Sequence, residues 1–403
     1  MGVGGEAVGG ALAQAGLDVV GIEAELVGGE CPYWGCIPSK MMIRAGNLLA
    51  EARRVPGMAG QVDGITPDWA PVAQRIRHEA TDDWNDQVAV DRFSGHGGRF
   101  IRGRAQILGP DRVEVPGHGM YVARRGLVIS TGTVPTVPPI DGLADTPYWT
   151  NREAVSAAEL PASLVVLGGG AIGLEIAQTY RRFGVDVSEV EAADRLLALE
   201  EPESSALISE VLEGEGITVH AGSKVTQVRH DGRFHVTAHG VDEPISAERL
   251  LVATGRQPGL DQATLERIGV DPEPGLQVDQ RLRATDGVWA VGDVTNKGAF
   301  THIATYQADL VVADILGRDH PGADYRAVPR VTFTDPEVGA VGLTETQARE
   351  HGIRVITGTA HVPSSARGWL HKAGNYGFIK LVLPQPYRLV VRRAADRHHS
   401  HLP

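Results

Sequence analysis

The chain's two cysteines, Cys31 and Cys36, are the side chains best suited to redox chemistry. They lie five positions apart in the segment Cys31-Pro-Tyr-Trp-Gly-Cys36-Ile-Pro-Ser-Lys40. Glycines and prolines bend this segment, so closure of a small disulfide ring is sterically plausible. Pro38 suits an early helical position, which predicts Cys36 at a helix N-terminus, where the helix dipole favours thiolate over thiol. We therefore expect a redox-active pair, with two buried reduced cysteines or a metal site as the alternatives.

The composition excludes several classes of protein. The 403 residues, 42% of them hydrophobic and 22% charged, are enough for two or three domains with large cores. The net charge of -12 includes no basic block, which disfavours nucleic-acid binding. The absence of a long apolar run and of a basic, then apolar N-terminus disfavours membrane insertion and export, so we expect a cytoplasmic protein. Two cysteines cannot staple a secreted scaffold or complete a four-cysteine zinc site, and we expect no metal.

An internal segment has the pattern of a dinucleotide-binding βαβ unit. An apolar strand at 163–167 is followed by the turn Gly168-Gly-Gly170-Ala-Ile-Gly173, a helix to about Phe183 and a second strand ending in Glu191. The first glycine allows the tight turn, the second lets the backbone approach a pyrophosphate, and the third permits close helix–strand packing. A glycine-rich turn in some other α/β domain is the alternative.

A second copy of this pattern lies at the start of the chain. Gly5 precedes Glu23 by 18 positions, as Gly173 precedes Glu191. This spacing makes Gly5 the third glycine and places the second near Gly2 or Gly4. The preceding apolar strand would fall before Met1, so we expect a chain that lacks its first strand and has an impaired first nucleotide site.

Other segments support two related nucleotide domains and a third domain of different character. The apolar strands at 127–133 and 250–256 both end in Thr-Gly, and 287–293 is a strand that ends in Gly-Asp. Helix is expected at 39–54 and in parts of 68–94, and short strands are expected at 98–130. After Ala327 the sequence becomes rich in predicted strands.

These residues together resemble the flavin-dependent pyridine nucleotide–disulfide oxidoreductases, the family of dihydrolipoamide dehydrogenase, glutathione reductase and mercuric reductase. The resemblance runs from residue 2 to about 382. The motifs that carry it are the Gly-Gly-Glu-Cys31 to Lys40 loop, the internal glycine turn continuing to Glu175, the two Thr-Gly strands, Ala290-Val-Gly-Asp293 and the segment from Phe333 to Glu345.

The resemblance implies an α/β fold with two Rossmann-like dinucleotide-binding domains and a partial α+β C-terminal dimerisation domain. The FAD domain would comprise residues 1–147 and 285–320, the NAD(P)H domain 148–284, and the truncated dimerisation domain 321–403. The activity implied is electron transfer from NAD(P)H through FAD to a Cys31–Cys36 disulfide, and then to a small-molecule disulfide.

The resemblance also implies a role for individual residues. Cys36 would be the thiolate against the flavin and Cys31 the thiol that meets the substrate, while Lys40 would lie beside flavin N5 and pair with Glu175. Glu23 would hold the adenosine ribose, Asp293 the ribityl chain, and the helix start at Thr301-His302 would face the flavin C2 carbonyl. The cofactor-binding residues implied are Gly2, Gly5, Glu23, Gly29, Lys40, Ala105, Thr131, Gly132, Asp293, Thr301 and His302 for FAD, and Gly168, Gly170, Gly173, Glu191 and Gly255 for the nicotinamide nucleotide.

Glu191, the acidic residue at the end of the internal βαβ unit, favours NADH over NADPH. The Glu191 carboxylate can accept hydrogen bonds from ribose hydroxyls and would repel a 2′-phosphate. The next two residues, Ala192 and Ala193, supply no arginine to bind a phosphate.

The family pattern stops after Val382. The family's catalytic base, a histidine in a C-terminal His-Pro motif, has no counterpart here, and His398, His399 and His401 lie in a polar tail. We therefore expect a truncated C-terminus and the loss of most of the homodimer interface. The alternatives are an NAD(P)H:quinone (diaphorase-type) reductase, a mercuric-type reductase, and an inactive nucleotide-binding relic.

Overall fold

A computed structural model gives the structure of the protein and describes residues 1–272 and 276–385. The tail that contains His398, His399 and His401 lies outside the described residues. Within the described part of the chain, no helix combines the length and the apolar character needed to cross a bilayer. The fold comprises an N-terminal α/β unit, a second α/β unit, a return of the chain to the first unit, and a C-terminal unit.

The N-terminal unit combines short parallel strands with a small antiparallel sheet. Its α-helices and strands are α1 (Val3–Gln14), β1 (Val20–Glu23), α2 (Glu30–Tyr33), α3 (Cys36–Arg54), α4 (Ala70–Arg75), α5 (Gln87–Gly95), β2 (Arg99–Arg102), β3 (Gln106–Gly109), β4 (Arg112–Val115), β5 (Gly119–Val122), β6 (Leu127–Ile129) and β7 (Thr133–Pro135), with a π-helical turn at Ile76–Ala80. β1 and β2 pair in parallel, and β3, β4 and β5 form an antiparallel sheet. The helix predicted at 39–54 begins earlier, at Cys36, and the strands predicted in 98–130 are present.

The second unit contains a four-stranded parallel sheet in the order β10-β9-β8-β14. Its elements are a 3₁₀ turn (Leu143–Asp145), α6 (Asn151–Ser156), β8 (Ser163–Leu167), α7 (Ala171–Arg182), β9 (Asp186–Val190), α8 (Pro202–Gly214), β10 (Thr218–His220), β11 (Val225–His230), β12 (Phe234–Ala238), β13 (Ile245–Ala247), β14 (Arg249–Val252) and β15 (Arg256–Pro258). β11, β12 and β13 form an antiparallel sheet beside it. The predicted strand–turn–helix–strand unit is therefore present as β8, α7 and β9.

The chain then returns to the first unit. This return comprises α9 (Gln262–Arg267), β16 (Arg283–Thr285), β17 (Val288–Ala290), a 3₁₀ turn (Asp293–Thr295) and α10 (Thr301–Ile315). β17 pairs in parallel with β6, in a sheet of order β16-β17-β6. Since parallel strands end at the same edge of a sheet, this pairing places Asp293 beside the residues that follow β6.

The C-terminal unit is made of two antiparallel strand pairs and two short helices. Its elements are β18 (Pro329–Thr332), β19 (Val338–Val341), α11 (Glu345–Glu350), β20 (Val355–His361), a 3₁₀ turn (Val362–Ser364), α12 (Ala366–His371) and β21 (Phe378–Pro384). β18 pairs with β19, and β20 pairs with β21 along seven residues each.

The core of the second unit explains why β8 reads as an unbroken apolar run. All five of its residues are buried, because apolar clusters pack on both faces of the parallel sheet. Leu164 and Val166 belong to the cluster under α7 and α8, while Val165 and Leu167 belong to the cluster under β11–β13. A strand buried on both faces has no reason to alternate with polar residues.

A buried arginine joins three parts of the fold. The Arg182 side chain on α7 is 2% exposed and donates to the carboxylates of Glu215 and Asp335 and to the amide oxygen of Asn47. Asn47 lies on α3 of the first unit, and Asp335 lies between β18 and β19 of the C-terminal unit. A buried guanidinium needs such partners, since an unpaired buried charge is strongly destabilising.

One buried carboxyl has no such partner. Glu189 on β9 is 0% exposed, and neither of its carboxyl oxygens has a hydrogen-bond partner among the residues that the structure describes. Burial raises the pKa of Glu189 well above its ordinary value, and the charge of Glu191 raises it further. Folding therefore favours the neutral carboxylic acid of Glu189 over its carboxylate, relative to the unfolded chain.

We expect Glu189→Val to make the protein more stable at neutral and alkaline pH. Because the folded-state pKa is raised, the stability that the proton contributes is complete below the ordinary pKa of 4.5 and is lost as pH rises above it. One such group costs up to about 1.4 kcal/mol per pH unit until it ionises in the folded state. Urea unfolding at pH 5 and pH 8 measures this difference.

Glu189→Gln is the matched control, since it removes the titration but keeps a buried polar group. The fall in unfolding free energy between pH 5 and pH 8 that Glu189 causes should be absent from both variants. An unchanged fall in stability between pH 5 and pH 8 in the Val variant would show that Glu189 is not its source.

Candidate active site

A single large cavity, of about 2060 Å³, contains the residues predicted to bind the first nucleotide. It lies where the start of α1, the end of β1, the cysteine loop, the end of β6 and the start of α10 meet. The predicted residues that line it are Gly2, Gly5, Glu23, Gly29, Cys31, Cys36, Lys40, Ala105, Thr131, Gly132, Glu175, Asp293, Thr301 and His302. Sites for single drug-sized ligands are about 300–1,000 Å³, so this cavity suits a more extended molecule.

Two acidic residues that line the cavity, Glu23 and Asp293, suit the hydroxyl groups of a dinucleotide. Glu23 is the last residue of β1, where it accepts the Glu25 backbone N–H at 2.7 Å and pairs with the Met1 amino group. Asp293 lies at the start of its 3₁₀ turn, and burial raises its pKa. Gly132 has a φ of +65° and open space where a Cβ would project, so the backbone after β6 can closely approach a ligand. FAD, bound here, would be held by these residues and would supply two-electron transfer between a nicotinamide and the thiols.

Arg256 links Asp293 to the cysteine loop through Thr133. The Thr133 hydroxyl lies 3.4 Å from Asp293 Oδ2 and accepts the Arg256 Nε–H at 2.8 Å. Arg256 also lies 3.5 Å from the Glu30 carboxylate, next to Cys31. The sequence interpretation did not identify Arg256 or Thr133 as site residues, although each directly follows one of the two Thr-Gly strand ends.

The two thiols are held at the ends of helices. Cys31 lies in the short helix α2 and Cys36 is the first residue of α3, as its neighbour Pro38 predicted. Both are free thiols in this structure, and the hydroxyl of Thr301 lies 3.2 Å from Cys31 Sγ and 3.5 Å from Cys36 Sγ. The pair is thus close together and inside the cavity, as a redox pair requires.

The environment of the thiols separates their pKa values. The hydrogen bond from Cys31 lowers the pKa of Cys36 to about 6, helped by the Thr301 hydroxyl and the charge of Lys40 and opposed by burial. The same hydrogen bond, together with burial, raises the pKa of Cys31 well above its ordinary value. At neutral pH the reduced pair therefore holds one proton, on Cys31, and Cys36 is the thiolate.

Lys40 and Glu175 form the predicted ion pair. Lys40 Nζ lies 3.0 Å from Glu175 Oε2, and the Glu175 side chain is 9% exposed. The other Glu175 oxygen accepts the backbone N–H of Phe333 at 2.9 Å, and the Phe333 ring lies 4.2 Å from Lys40 Nζ. Phe333, in the C-terminal unit, thus contacts both members of the ion pair. The sequence did not indicate these contacts, because an apolar residue gives no sign of a partnership with Lys40.

Aromatic and charged side chains hold the segment between the cysteines. The Trp34 ring stacks on Trp84 with centroids 5.5 Å apart, and the Arg152 guanidinium lies over Trp34 at 5.3 Å. Arg152 and Asn151, at the start of α6, also donate to the Glu30 carboxylate at 2.7 and 3.1 Å. These contacts fix the loop and show that Trp34 packs against the protein.

A strained turn places Trp84. Asp82, Asp83 and Trp84 all have positive φ angles, 48°, 55° and 57°. Such a conformation costs roughly 1–2 kcal/mol per residue for side chains other than glycine. Asp83 forms ion pairs with Arg77 and His78 of the preceding π-helical turn, which help to hold this geometry.

The residues predicted for the second nucleotide form a separate group at the carboxyl edge of the β10-β9-β8-β14 sheet. Gly168 adopts a φ of +111°, and a Cβ on Gly173 would overlap the Gly168 carbonyl, so both glycines are required for the turn. The Glu191 carboxylate accepts the backbone N–H groups of Gly169 and Ala193, each at 2.6 Å. Gly170 and Gly255 have open space at their Cβ positions. The helix after this turn reaches the large cavity through Ala171, Ile172 and Glu175.

Two glycine-turn nucleotide units with a thiol pair in the adjoining cavity define the class of dinucleotide-dependent disulfide reductases. The family model described as "Pyridine nucleotide-disulphide oxidoreductase" matches residues 1–308, and the model of the same family's dimerisation domain matches residues 328–391. The chain belongs to this family. The family and fold class predicted from the sequence are thereby confirmed, and the predicted FAD and NAD(P)H are confirmed as the cofactors that the family uses.

Individual relatives support the same assignment. Mercuric reductase from Bacillus cereus is 31% identical over 95% of this chain and 61% of that protein. Dihydrolipoyl dehydrogenase from Halobacterium salinarum is 34% identical over 92% of this chain and 79% of that protein. The chain thus spans less than two thirds of the length of the first relative. The Cu(II) complex of the HOCl-induced flavoprotein disulfide reductase RclA from Escherichia coli has a TM-score of 0.81 and 27% identity over 95% of this chain and 85% of that one.

We expect Lys40→Gln to make Cys36 less acidic. Removing the ammonium removes its attraction to the thiolate, so the pKa of Cys36 should rise from about 6 by about one unit or less. The pH dependence of iodoacetamide alkylation of the reduced protein, with the Cys36 adduct quantified by mass spectrometry, measures this value. Lys224→Gln, at an exposed lysine of the second unit, is the matched control, and equal alkylation midpoints in both variants would contradict the assigned role.

Proposed function

We propose that the protein is an FAD-dependent, NADH-linked oxidoreductase that reduces a small-molecule disulfide through Cys31 and Cys36. The observation that carries this proposal is the thiol pair itself. Both sulfurs contact the Thr301 hydroxyl inside the nucleotide cavity, and Cys36 is poised as a thiolate near neutral pH. A thiolate is the reactive form in disulfide exchange.

The proposed roles of the other residues follow from their contacts. Cys36 would face bound FAD and Cys31 would exchange with the substrate disulfide. Lys40, held by Glu175, keeps a positive charge one helical turn from Cys36 and so favours its thiolate. The division into FAD, NAD(P)H and dimerisation domains at residues 1–147 with 285–320, 148–284 and 321–403 belongs to this proposal.

The end of the family pattern after Val382 predicts the loss of most of the homodimer interface, whereas the match to the dimerisation domain over residues 328–391 favours a dimer. We therefore propose a cytoplasmic homodimer. The family's dimerisation domain is present in the sequence, and large apolar side chains are exposed on this unit, including Trp369 at 74% and Ile379 at 62%. Exposed apolar patches of this kind mark protein interfaces. A chain whose two cysteines both belong to the redox pair has no further cysteine for a structural disulfide, which suits a reducing compartment.

A soft metal ion is a second candidate substrate. Two of the named relatives support it, since one is a mercuric reductase and the other was solved as a Cu(II) complex. Soft thiolates favour such ions. Among the described residues, however, no cluster of three or more His, Cys, Asp or Glu side chains is arranged to hold a metal, so within this part of the chain only the two thiols are offered as ligands.

We expect Cys36→Ser and Cys31→Ser each to abolish disulfide reduction. The purified protein should carry FAD, seen as its visible absorbance, and should oxidise NADH with a small-molecule disulfide such as lipoamide. Each serine variant should lower kcat by more than about 100-fold, which is about 2.7 kcal/mol in the barrier. Stopped-flow and steady-state NADH oxidation measure the effect.

The outcomes of this experiment separate the candidates. Colourless protein would show that the chain is a nucleotide-binding relic. A quinone reductase would oxidise NADH with benzoquinone in the wild type and show no dependence on either cysteine. Faster oxidation with Hg²⁺ or Cu²⁺ than with any disulfide would favour the metal-ion reductase.

We expect the wild type to prefer NADH to NADPH by at least about tenfold in kcat/KM. The Glu191 carboxylate repels a 2′-phosphate and suits ribose hydroxyls. Glu191→Gln keeps an acceptor for the Gly169 and Ala193 N–H groups and removes the negative charge. It should therefore lower the ratio of kcat/KM for NADH to kcat/KM for NADPH. Comparable kcat/KM values for the two nucleotides in the wild type would contradict this part of the proposal.

A further inference from the structure

Asn151 contacts both ends of the short segment that contains Cys31. Its side-chain Nδ2 donates to the Glu30 carboxylate at 3.1 Å and to the Trp34 carbonyl at 2.8 Å. These acceptors belong to the residue before Cys31 and to the residue that ends the helical turn α2. The Trp34 backbone N–H closes the same turn by donating to the Glu30 carbonyl at 2.8 Å. One side chain therefore spans the whole turn in which Cys31 lies.

Asn151 is itself held in one orientation. It is 8% exposed, and its Oδ1 accepts the Arg256 Nη1–H at 3.3 Å. An amide side chain has two N–H donors and one oxygen acceptor, so both kinds of group are bonded here. A capping box of Thr150 and Glu153 fixes the backbone where α6 begins with Asn151. A buried polar group with its partners in place is rigid, so Asn151 is a fixed point for the turn.

This fixed point belongs to a different unit from the turn that it holds. Asn151 and Arg152 begin α6 of the second unit, whereas Cys31 lies in the first unit. Arg152 Nη2 donates to the Glu30 carboxylate at 2.7 Å, and Arg256 of β15 lies 3.5 Å from the same carboxylate. The second unit thus determines where the Cys31 turn sits relative to Cys36.

The position of Cys31 matters because the two sulfurs must meet. The Thr301 hydroxyl lies 3.2 Å from Cys31 Sγ and 3.5 Å from Cys36 Sγ, so the thiols are already neighbours in the reduced protein. Cys36 is fixed at the start of the 19-residue helix α3, whereas α2 is only four residues long. Groups that are already aligned react with less loss of entropy. The order of the Cys31 turn therefore determines how readily the disulfide closes.

We propose that Asn151 is a positioning residue that holds the Cys31 turn in place and so raises the effective concentration of Cys31 toward Cys36. It acts through Glu30 and Trp34. The inference rests on the proposed function, because it concerns the closure of the Cys31–Cys36 disulfide that ends substrate reduction.

The reaction in which Asn151 acts balances in atoms and electrons. The Cys31 sulfur attacks one sulfur of a substrate R–S–S–R, forms a Cys31–S–S–R bond and releases R–S⁻ with the electron pair of the broken bond. The Cys36 sulfur then attacks Cys31, forms the Cys31–Cys36 disulfide and releases the second R–S⁻. The two electrons of the thiol pair thus pass to the substrate, and the protons that the pair held pass to the released thiolates. Asn151 favours the second attack, because that attack needs both protein sulfurs in one place.

Asn151→Ala and Asn151→Asp test this role in the protein with FAD bound. Alanine removes both hydrogen bonds to the turn and leaves the capping box of α6 intact. Aspartate keeps the shape of asparagine but places a carboxylate against the Glu30 carboxylate and the Trp34 carbonyl. Asn375→Ala is the matched control, since the Asn375 Nδ2 also donates to a backbone carbonyl, that of Gly368 in the C-terminal unit, at 2.8 Å.

The measurement is the equilibrium between the thiol pair and glutathione. Each protein is equilibrated without oxygen or NADH in buffers of reduced and oxidised glutathione, then quenched and alkylated. Mass spectrometry quantifies the dithiol, the Cys31–Cys36 disulfide and the mixed disulfide of Cys31 with glutathione. The ratio of the two disulfides at a known glutathione concentration gives the effective concentration of the pair.

We expect Asn151→Ala to lower the equilibrium constant for the disulfide by about tenfold, the entropy of roughly one freed backbone residue. For a two-electron couple this is a shift of about 30 mV toward a more oxidising potential. The mixed disulfide should accumulate at the expense of the Cys31–Cys36 disulfide. Asn151→Asp should lower the constant at least as much, and Asn375→Ala should leave it unchanged.

Three results would overturn the role of Asn151. Wild-type equilibrium constants in both Asn151 variants would show that the turn holds its position without this side chain. An equal fall in Asn375→Ala would show a general loosening of the protein. A lower constant with no rise in the mixed disulfide would show that the effective concentration of the pair is not what changed. Failure of the proposed function is a different result, in which the wild-type protein itself forms no Cys31–Cys36 disulfide in any of these buffers.

Discussion

The ion pair between Lys40 and Glu175 is the contact on which the arrangement of the site depends. It joins residues 135 positions apart, one on the helix that begins with Cys36 and one on the helix that begins at the second nucleotide turn. A largely buried carboxylate such as Glu175 is stable only with a partner, and it has two, Lys40 and the Phe333 N–H. The helix that begins with Cys36, the helix that follows the second nucleotide turn and the C-terminal unit therefore meet at the Glu175 carboxylate.

The features that could be predicted from the sequence are those encoded over short distances. The start of a helix at Cys36 follows from Pro38 and the glycines around the loop, and the βαβ unit ending in Glu191 follows from glycine spacing within about thirty residues. The 18-residue repeat of this spacing also located the first unit, whose glycines and Glu23 line the cavity. The roles assigned to these residues remain predictions, whereas the family and fold are established by the comparisons.

The features that were missed depend on contacts between distant segments. The Thr301 hydroxyl meets the two sulfurs across 265 and 270 positions of sequence, and no local pattern indicates that contact. The aromatic residues between the cysteines left a choice between substrate recognition and packing. The structure favours packing for Trp34, because Trp84 and Arg152 already cover its ring. Glu189 was not singled out, since a lone acid in a strand gives no sign that its oxygens lie without partners.

The buried guanidinium of Arg182 ties the second unit to the first unit and to the C-terminal unit. A hinge opening between these units would break the hydrogen bonds from Arg182 to Asn47 and Asp335, whereas its ion pair with Glu215, in the same unit as Arg182, would remain. Hydrogen bonds to charged groups contribute roughly 1.5–3 kcal/mol each. A single side chain thus couples the relative positions of all three units, so a substitution of Arg182 would loosen the first and C-terminal units from the second at the same time.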